Sequence, residues 1–206
     1  MPDTFLSIDL DFFNPFCDGE YADSRRHVWL ARRYLDSVAR QCRKRGIPLS
    51  AVMNHQQMLR HVDQSGATRL INLDTHSDLV SRDVSSFHCG SWTSFVKRRR
   101  ESTYHWIHAG LVYEGECSSH PIFAGARRPR HTMTDWKRVI RTKVSRMPRI
   151  STLLKGVVHA SVVLSPAYSY SELEPVFRRW VKKWEVPYTK GVRREHVLAG
   201  TERRPA

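Results

Sequence analysis

A short apolar segment that runs straight into metal-ligand side chains limits this chain more than any other feature. Leu70, Ile71 and Leu73 read as a strand buried in a parallel sheet, which is covered on both faces and therefore apolar along its length. The segment continues into Asp74-Thr75-His76-Ser77-Asp78. Alternate side chains of an extended chain share one side, so Asp74, His76 and Asp78 converge just past the strand tip. Open α/β sheets place their sites there. Two carboxylates and an imidazole crowded together are unfavourable without a cation, and the segment reads as a metal site. The plainer alternative is a surface turn with Asp74 capping the next helix.

A second strand of this kind opens the chain. Phe5, Ile8, Leu10, Phe12 and Phe13 are apolar and β-favouring, and Asp9 and Asp11 alternate with them. Both carboxylates then face one way, and burying such a pair is costly without a compensating cation. Pro15 closes the strand and residues 17–23 read as a loop. A third strand, Ile47 to Met53, ends at Asn54-His55, so His55 sits at a strand-to-helix junction, where a lone histidine is more often structural than a ligand.

Between and after these strands the apolar period changes to that of helices. Ser24 to Arg45 is helical, with Val28, Ala31, Leu35, Val38 and Cys42 inward and Gly46 as C-cap. Gln56 to Asp63 is a second helix. A small-residue loop carries His88 and leads into an expected helix from Trp92 to Arg100, then a strand from Tyr104 to Ala109. Residues 114–130 form a loop rich in Gly, Pro and Ser, and Asp135 to Val144 reads as a basic helix. A β-branched strand, Gly156 to Leu164, ends at Ser165-Pro166. Ser171 to Trp184 is a helix with Glu172 and Glu174 at its favourable N-terminal end. Strands separated by helices throughout predict an α/β three-layer sandwich with a mostly parallel sheet. The expected organisation is one domain over residues 1–184, followed by a basic tail, 185–206, disordered in part.

Composition narrows the class. The 206 residues suffice for one domain with a real core, and 40% hydrophobic residues are enough to fold it. No run of about 18 apolar residues is present, which excludes a transmembrane helix. The first residues lack the basic and apolar regions of a signal peptide. Cys17, Cys42, Cys89 and Cys117 have no CxxC spacing, so reduced thiols in a cytoplasm are expected. The net charge is +14 and the pI about 10.2. Basic runs at 97–100, 127–130, 138–149 and 178–183 would attract an acidic partner, although any single run is more simply a solvated face.

Three strand ends together offer Asp9, Asp11, His55, Asp74, His76 and Asp78. Six oxygen and nitrogen donors, four of them carboxylates, exceed what one zinc needs and suit two hard or borderline divalent ions, Mn²⁺ above all. A structural zinc site would use cysteine.

Asp74-Thr-His76-Ser-Asp78 resembles the Asp-Ala-His-x-Asp signature of the arginase and ureohydrolase superfamily. Asp9-Leu-Asp11-Phe-Phe-Asn14-Pro15 resembles its Asp-x-Asp-x-x-Asp-Pro signature, with Asn14 in place of the third acid, and Asn54-His55 resembles its Gly-Asp-His segment. Phe16, Leu79, Gly90-Ser-Trp92 and Ser165-Pro166 add a likeness to the small arginase-like proteins that include the peptide arginases of ribosomal-peptide biosynthesis. The anchors span roughly residues 5 to 110, with a weaker echo near 160 to 170. In arginases the Asp-x-Asp strand follows the Asp-x-His-x-Asp strand; here it opens the chain, which looks like a circular permutation.

The resemblance implies roles. Asp74 and Asp9 would bridge two ions, His55 and Asp78 would complete one, and His76 and Asp11 the other. Asp78 would also orient the attacking hydroxide, and His88 is placed like the superfamily's proton-shuttling histidine. The deacetylase branch keeps one zinc and loses several of these ligands, so retention of Asp9, Asp11 and His55 argues against it. Glu172, Glu174 and Glu20 are candidates for holding a guanidinium. The expected function is Mn²⁺-dependent hydrolysis of arginine residues in a peptide to ornithine and urea, the basic surface drawing an acidic leader. A related hydrolase of a small guanidine or acylated amine is the enzymatic alternative. A nucleic-acid binder with a vestigial acidic cluster is disfavoured, because aromatics do not interleave with the basic runs.

Overall fold

Residue alternation in the central strands decides which side chains meet which helices. In the computed structural model, which describes residues 2–16, 24–79, 92–93, 95–109, 136–166, 169 and 171–189, the strands are β1 (Thr4–Asp9), β2 (Leu49–Val52), β3 (Arg69–Leu73), β4 (Thr103–His108), β5 (Arg138–Lys143), β6 (Val157–Val163) and β7 (Tyr188–Thr189). The helices are α1 (Ser24–Arg45), α2 (His55–Ser65), α3 (Ile150–Leu153) and α4 (Leu173–Trp184). The seven strands form one sheet in the order β5-β4-β3-β1-β6-β2-β7, and every pair in it is parallel.

Leu6 and Ile8 of β1 and Ile71 and Leu73 of β3 turn to one face, where they pack with Ala31, Leu35 and Val38 of α1 and with Phe177 and Trp180 of α4. Phe5 and Leu70, one position out of phase, turn to the other face and meet Met58 and Val62 of α2 together with Trp92 and Tyr104. Helices thus cover both faces, and the fold is the three-layer α/β sandwich with an entirely parallel sheet. Each of these fully buried apolar side chains contributes about 1.5–3 kcal/mol through removal from water. Gly46, at φ +65°, ends α1 as expected, and Gly66, at φ +66°, ends α2 in the same left-handed turn.

β1 is the point at which the winding divides. The chain leaves β1 through α1 on one face and reaches β2 beyond β6; it then returns to β3 on the other side of β1 and continues outward to β4. The connection after β3 carries Trp92 and Val96 onto the α2 face. Adjacent strands whose connections leave to opposite faces open a crevice at their carboxyl ends, and β1 and β3 are such a pair.

Four local expectations change. The first strand stops at Asp9 rather than at Pro15, and Leu10–Phe16 is a 3-10 helix, so Asp11 does not alternate with Asp9 along a strand but reaches the same edge from the turn that follows it. Residues 138–143 are not helical but form β5, hydrogen-bonded to β4 alone. Val139, Ile140 and Thr142 are β-branched, and the exposed Arg138, Arg141 and Lys143 suit a strand at the sheet edge. No α-helix forms among the described residues of 92–100: Trp92, Thr93 and Phe95 are in 3-10 conformation, and a further 3-10 turn spans Arg99–Glu101. Trp92 and Thr93 both bond to Asp78, and neighbouring residues of an α-helix diverge too far to share such a target. Past residue 184 the sheet continues, since Val186 is buried and Tyr188 and Thr189 pair with Ala51 and Val52 of β2. Among the described residues no helix is long and apolar enough to cross a membrane.

Candidate metal centre

The face that β1 and β3 turn toward α2 becomes polar toward its carboxyl edge. Phe5, Ser7 and Asp9 follow one another along β1, and Leu70, Asn72 and Asp74 along β3 and its end. The parallel register pairs Ser7 with Asn72, so Asp9 and Asp74 emerge side by side at the tip. His55 is the first residue of α2. Gln57 Oε1 accepts hydrogen bonds from the Met53 and Asn54 amides at 2.9 and 3.2 Å, which fixes the β2-to-α2 turn and sets His55 over the same edge.

The six expected ligands are brought together. His55 Nδ1 lies 3.3 Å from Asp9 Oδ2 and 3.6 Å from Asp78 Oδ2, and its Nε2 lies 3.6 Å from Asp74 Oδ2. His76 Nδ1 lies 3.0 Å from Asp11 Oδ2 and 3.7 Å from Asp74 Oδ1. Two sets of donor atoms result, Asp9/His55/Asp74 and Asp11/Asp74/His76, each with its atoms within 4.8 Å of one another. Asp74 belongs to both. The side chains of Asp9, Asp11, Asp74, Asp78 and His55 are at most 5% exposed, whereas that of His76 is 35% exposed and marks the side that solvent reaches.

A shell of donors holds the carboxylates in place. Asn72 Nδ2 donates to Asp74 Oδ2 at 3.0 Å, and the His76 amide donates to Asp74 Oδ1 at 2.8 Å. Trp106 Nε1 donates to the Asp74 carbonyl at 2.9 Å. The Asp11 and Thr75 amides donate to Asp9 Oδ1 and Asp11 Oδ1 at 3.0 and 3.2 Å. Ser165, just beyond β6, donates its hydroxyl to Asp9 Oδ2. Trp92 Nε1 donates to Asp78 Oδ2 at 2.6 Å, and the Trp92 ring stacks on His55 with centroids 5.2 Å apart and 6° between planes. Asp78 and Ser165 both have positive φ, 50° and 46°, a conformation that non-glycine residues adopt at a cost and that collects at functional sites.

Electrostatics defines what this arrangement lacks. Among the described residues no lysine or arginine forms an ion pair with any of the four carboxylates. Burial, and then the neighbouring Asp11 and Asp74 charges, push Asp9 well above the usual carboxylate range. Burial and Asp74 raise Asp11 to about 6 and drive Asp78 well upward. Burial also works against the Asp74 carboxylate, yet hydrogen bonding from His76 holds it down to about 2. Burial opposes charge on His76 as well, but its hydrogen bonds to Asp11 and Asp74 raise it to about 12. His55 is lowered by burial to about 4, so its ring is neutral at pH 7, as a metal ligand must be. Its Nε2 is buried with no hydrogen-bond partner among the described residues. An orphaned imidazole nitrogen facing acids that resist ionisation together fits a cation between them. Each of these buried Asp/His groups could hold a metal ion.

Not every expected site residue joins them. Glu172 is exposed and accepts a hydrogen bond from Ser171 Oγ at 3.1 Å, and Glu174 is held by Arg178 one turn along α4. Neither bonds to the cluster. Glu20 and His88 lie outside the described residues. Asn72 was legible only as a strand residue, although it shares the alternation phase of Asp74, and that phase was the available signal; Ser165 was legible as a strand end and part of the family likeness, not as a donor to Asp9. Tyr104 escaped as well: its hydroxyl accepts from Asn72 Nδ2 at 3.2 Å and donates to the Ser77 carbonyl at 2.7 Å.

No family model matches the chain, and neither a curated protein nor a solved structure matches it.

Proposed function

We propose that this chain is a hydrolase using two divalent ions, manganese above all, to convert arginine residues of a peptide to ornithine with release of urea. The observation that carries the reading is the pair of buried Asp/His groups that share Asp74 at the β1/β3 crevice. All-oxygen-and-nitrogen donor sets of this kind suit Mn²⁺. Its motifs are those that resemble the arginase superfamily.

His55, Asp9, Asp74 and Asp78 would hold one ion, and His76, Asp11 and Asp74 the other. Bound there, such ions supply Lewis acidity and make water nucleophilic near neutral pH. The chain does the rest. Asp78, fixed by the Trp92 indole, orients the attacking water and takes its proton. Water adds to the guanidinium carbon, the bond to the side-chain nitrogen breaks, that nitrogen gains a proton, and urea leaves. His88 is the proposed carrier of this last proton. Buried Trp92, Trp106 and Tyr104 keep bulk water from the inner side of the cluster.

The overall charge of +14 favours a peptide over free arginine, because a basic surface repels a cationic amino acid but attracts an acidic segment next to the reacting residue. The test offers Mn²⁺-loaded protein free arginine and, separately, arginine peptides with acidic leaders, reading urea release and arginine-to-ornithine conversion by mass spectrometry. Urea from the peptides alone supports the proposal. Urea from free arginine would replace the peptide substrate with the amino acid. Absence of urea from both, with metal bound, would overturn the guanidinium chemistry.

A further inference from the structure

Away from the metal centre, a groove of about 480 Å³ runs between α1 and α4 on the outer surface of the sandwich. Its walls carry the exposed cations Arg32, Arg179, Lys182 and Lys183, and its floor is Val176 and Trp180. Asp36 is the acid among the lining residues, and its charge is already engaged by Lys183 Nζ at 2.9 Å and Trp184 Nε1 at 2.7 Å. The side chains of Arg179 and Lys182 form no hydrogen bond or ion pair among the described residues. The buried Trp180 Nε1–H also finds no acceptor there. The groove therefore presents positive charge over an apolar floor with little of that charge neutralised from within.

Its place in the fold matters as much as its charge. α1 follows β1 and α4 follows β6, so both helices run back against the direction of the parallel strands. Their first turns lie at the same sheet edge as the metal centre, and the Arg32 and Val176 end of the groove points that way. From Val176 to Lys183 the groove follows about 10 Å of helix, room for roughly three residues of extended chain.

We infer that the α1/α4 groove is a docking site for an acidic peptide segment, with glutamate or aspartate side chains on Arg179 and Lys182. A nucleic acid fits less well. Packed helices stand about 8–10 Å apart, too close to admit a duplex between them, and the floor offers no exposed aromatic face for a base. The inference rests on the proposed function only in taking the docked segment to belong to the substrate; the docking itself is independent of turnover.

The test is fluorescence anisotropy of the full chain with a fluorescein-labelled peptide of alternating glutamate and leucine. Binding that weakens with salt is expected, and Arg179→Glu/Lys182→Glu should weaken it roughly tenfold or more. Arg146→Glu/Lys155→Glu changes the net charge equally, away from the groove, and should cost no more than about twofold through the general field. Equal losses in the two double variants would overturn the site, as would no binding at all. Tighter binding of a single-stranded oligonucleotide, lost in the groove variant, would reassign the groove to nucleic acid. The assay needs no metal and no urea, so failure of the hydrolase reading leaves its outcome standing, and failure of docking leaves the metal centre untouched.

Discussion

The two faces of β1 and β3 are made of opposite materials. Toward α1 these strands begin with Thr4 and Arg69 and are then apolar to their carboxyl ends, presenting Leu6, Ile8, Ile71 and Leu73. Toward α2 they begin with Phe5 and Leu70, pass through Ser7 and Asn72, and finish on Asp9 and Asp74, all buried. The first face is what hydrophobic burial alone would select. The second gives up that stabilisation step by step as it nears the carboxyl edge, and gathers carboxylates without a lysine or arginine partner among the described residues where the topology opens a crevice. One strand thus holds the fold with one side and builds the site with the other.

This contrast can be broken from either side. On the polar face Asp74→Asn should abolish hydrolysis, a loss well above the roughly 100-fold typical of residues behind a metal ligand. Its far-UV circular dichroism should remain that of the parent, since Asn is isosteric with Asp and its one carbonyl oxygen can still accept from the His76 amide. Retained turnover would remove the site assignment. On the apolar face Leu35→Ala, under the same strands, should cost about 2–5 kcal/mol in urea denaturation. Its affinity for Mn²⁺ should match that of the parent; a parallel loss of metal binding would mean that the faces are not separable.

Subtler changes sharpen the comparison. Trp92→Phe keeps an aromatic ring on His55 and deletes the N–H bonded to Asp78, so Mn²⁺ affinity in a competition assay with a chelating dye should fall roughly tenfold. An unchanged affinity would show that Asp78 needs no support from Trp92. Ser165→Ala removes one hydrogen bond to Asp9 and should lower metal-free stability by only about 1 kcal/mol, measured by the same denaturation. A loss as large as that of Leu35→Ala would make Ser165 part of the core rather than of the donor shell.

What the sequence disclosed follows the same division. Strand-helix alternation and the apolar residues of 5–8 and 70–73 reveal a parallel sandwich, because burial on both faces leaves a direct compositional trace. Asp9 and Asp74 were legible for a related reason: alternation places them at the ends of β1 and β3, and carboxylates buried in pairs call for a cation between them, whereas Asp11 sits in a 3-10 helix and His76 and Asp78 lie past the end of β3, where alternation no longer decides. Residues 138–143 misled because a short segment of Arg, Val, Ile and Lys satisfies both a basic helix and an edge strand, and only the partner β4 decides. Trp92 looked like the start of a helix because periodicity cannot see a hydrogen bond to a side chain fourteen residues earlier. The α1/α4 groove is invisible to any linear reading, since Arg32 and Arg179 become neighbours only when the two crossovers pack on one face.

The central claim is that one carboxylate, Asp74, joins two metal sets at the β1/β3 edge. The measurement that tests it most directly is the number of manganese ions retained per chain, by elemental analysis after equilibrium dialysis, for the parent and for Asp74→Asn. The account predicts two ions in the parent and none held tightly by the variant. Two ions in both proteins, or none in the parent at saturating Mn²⁺, would contradict it.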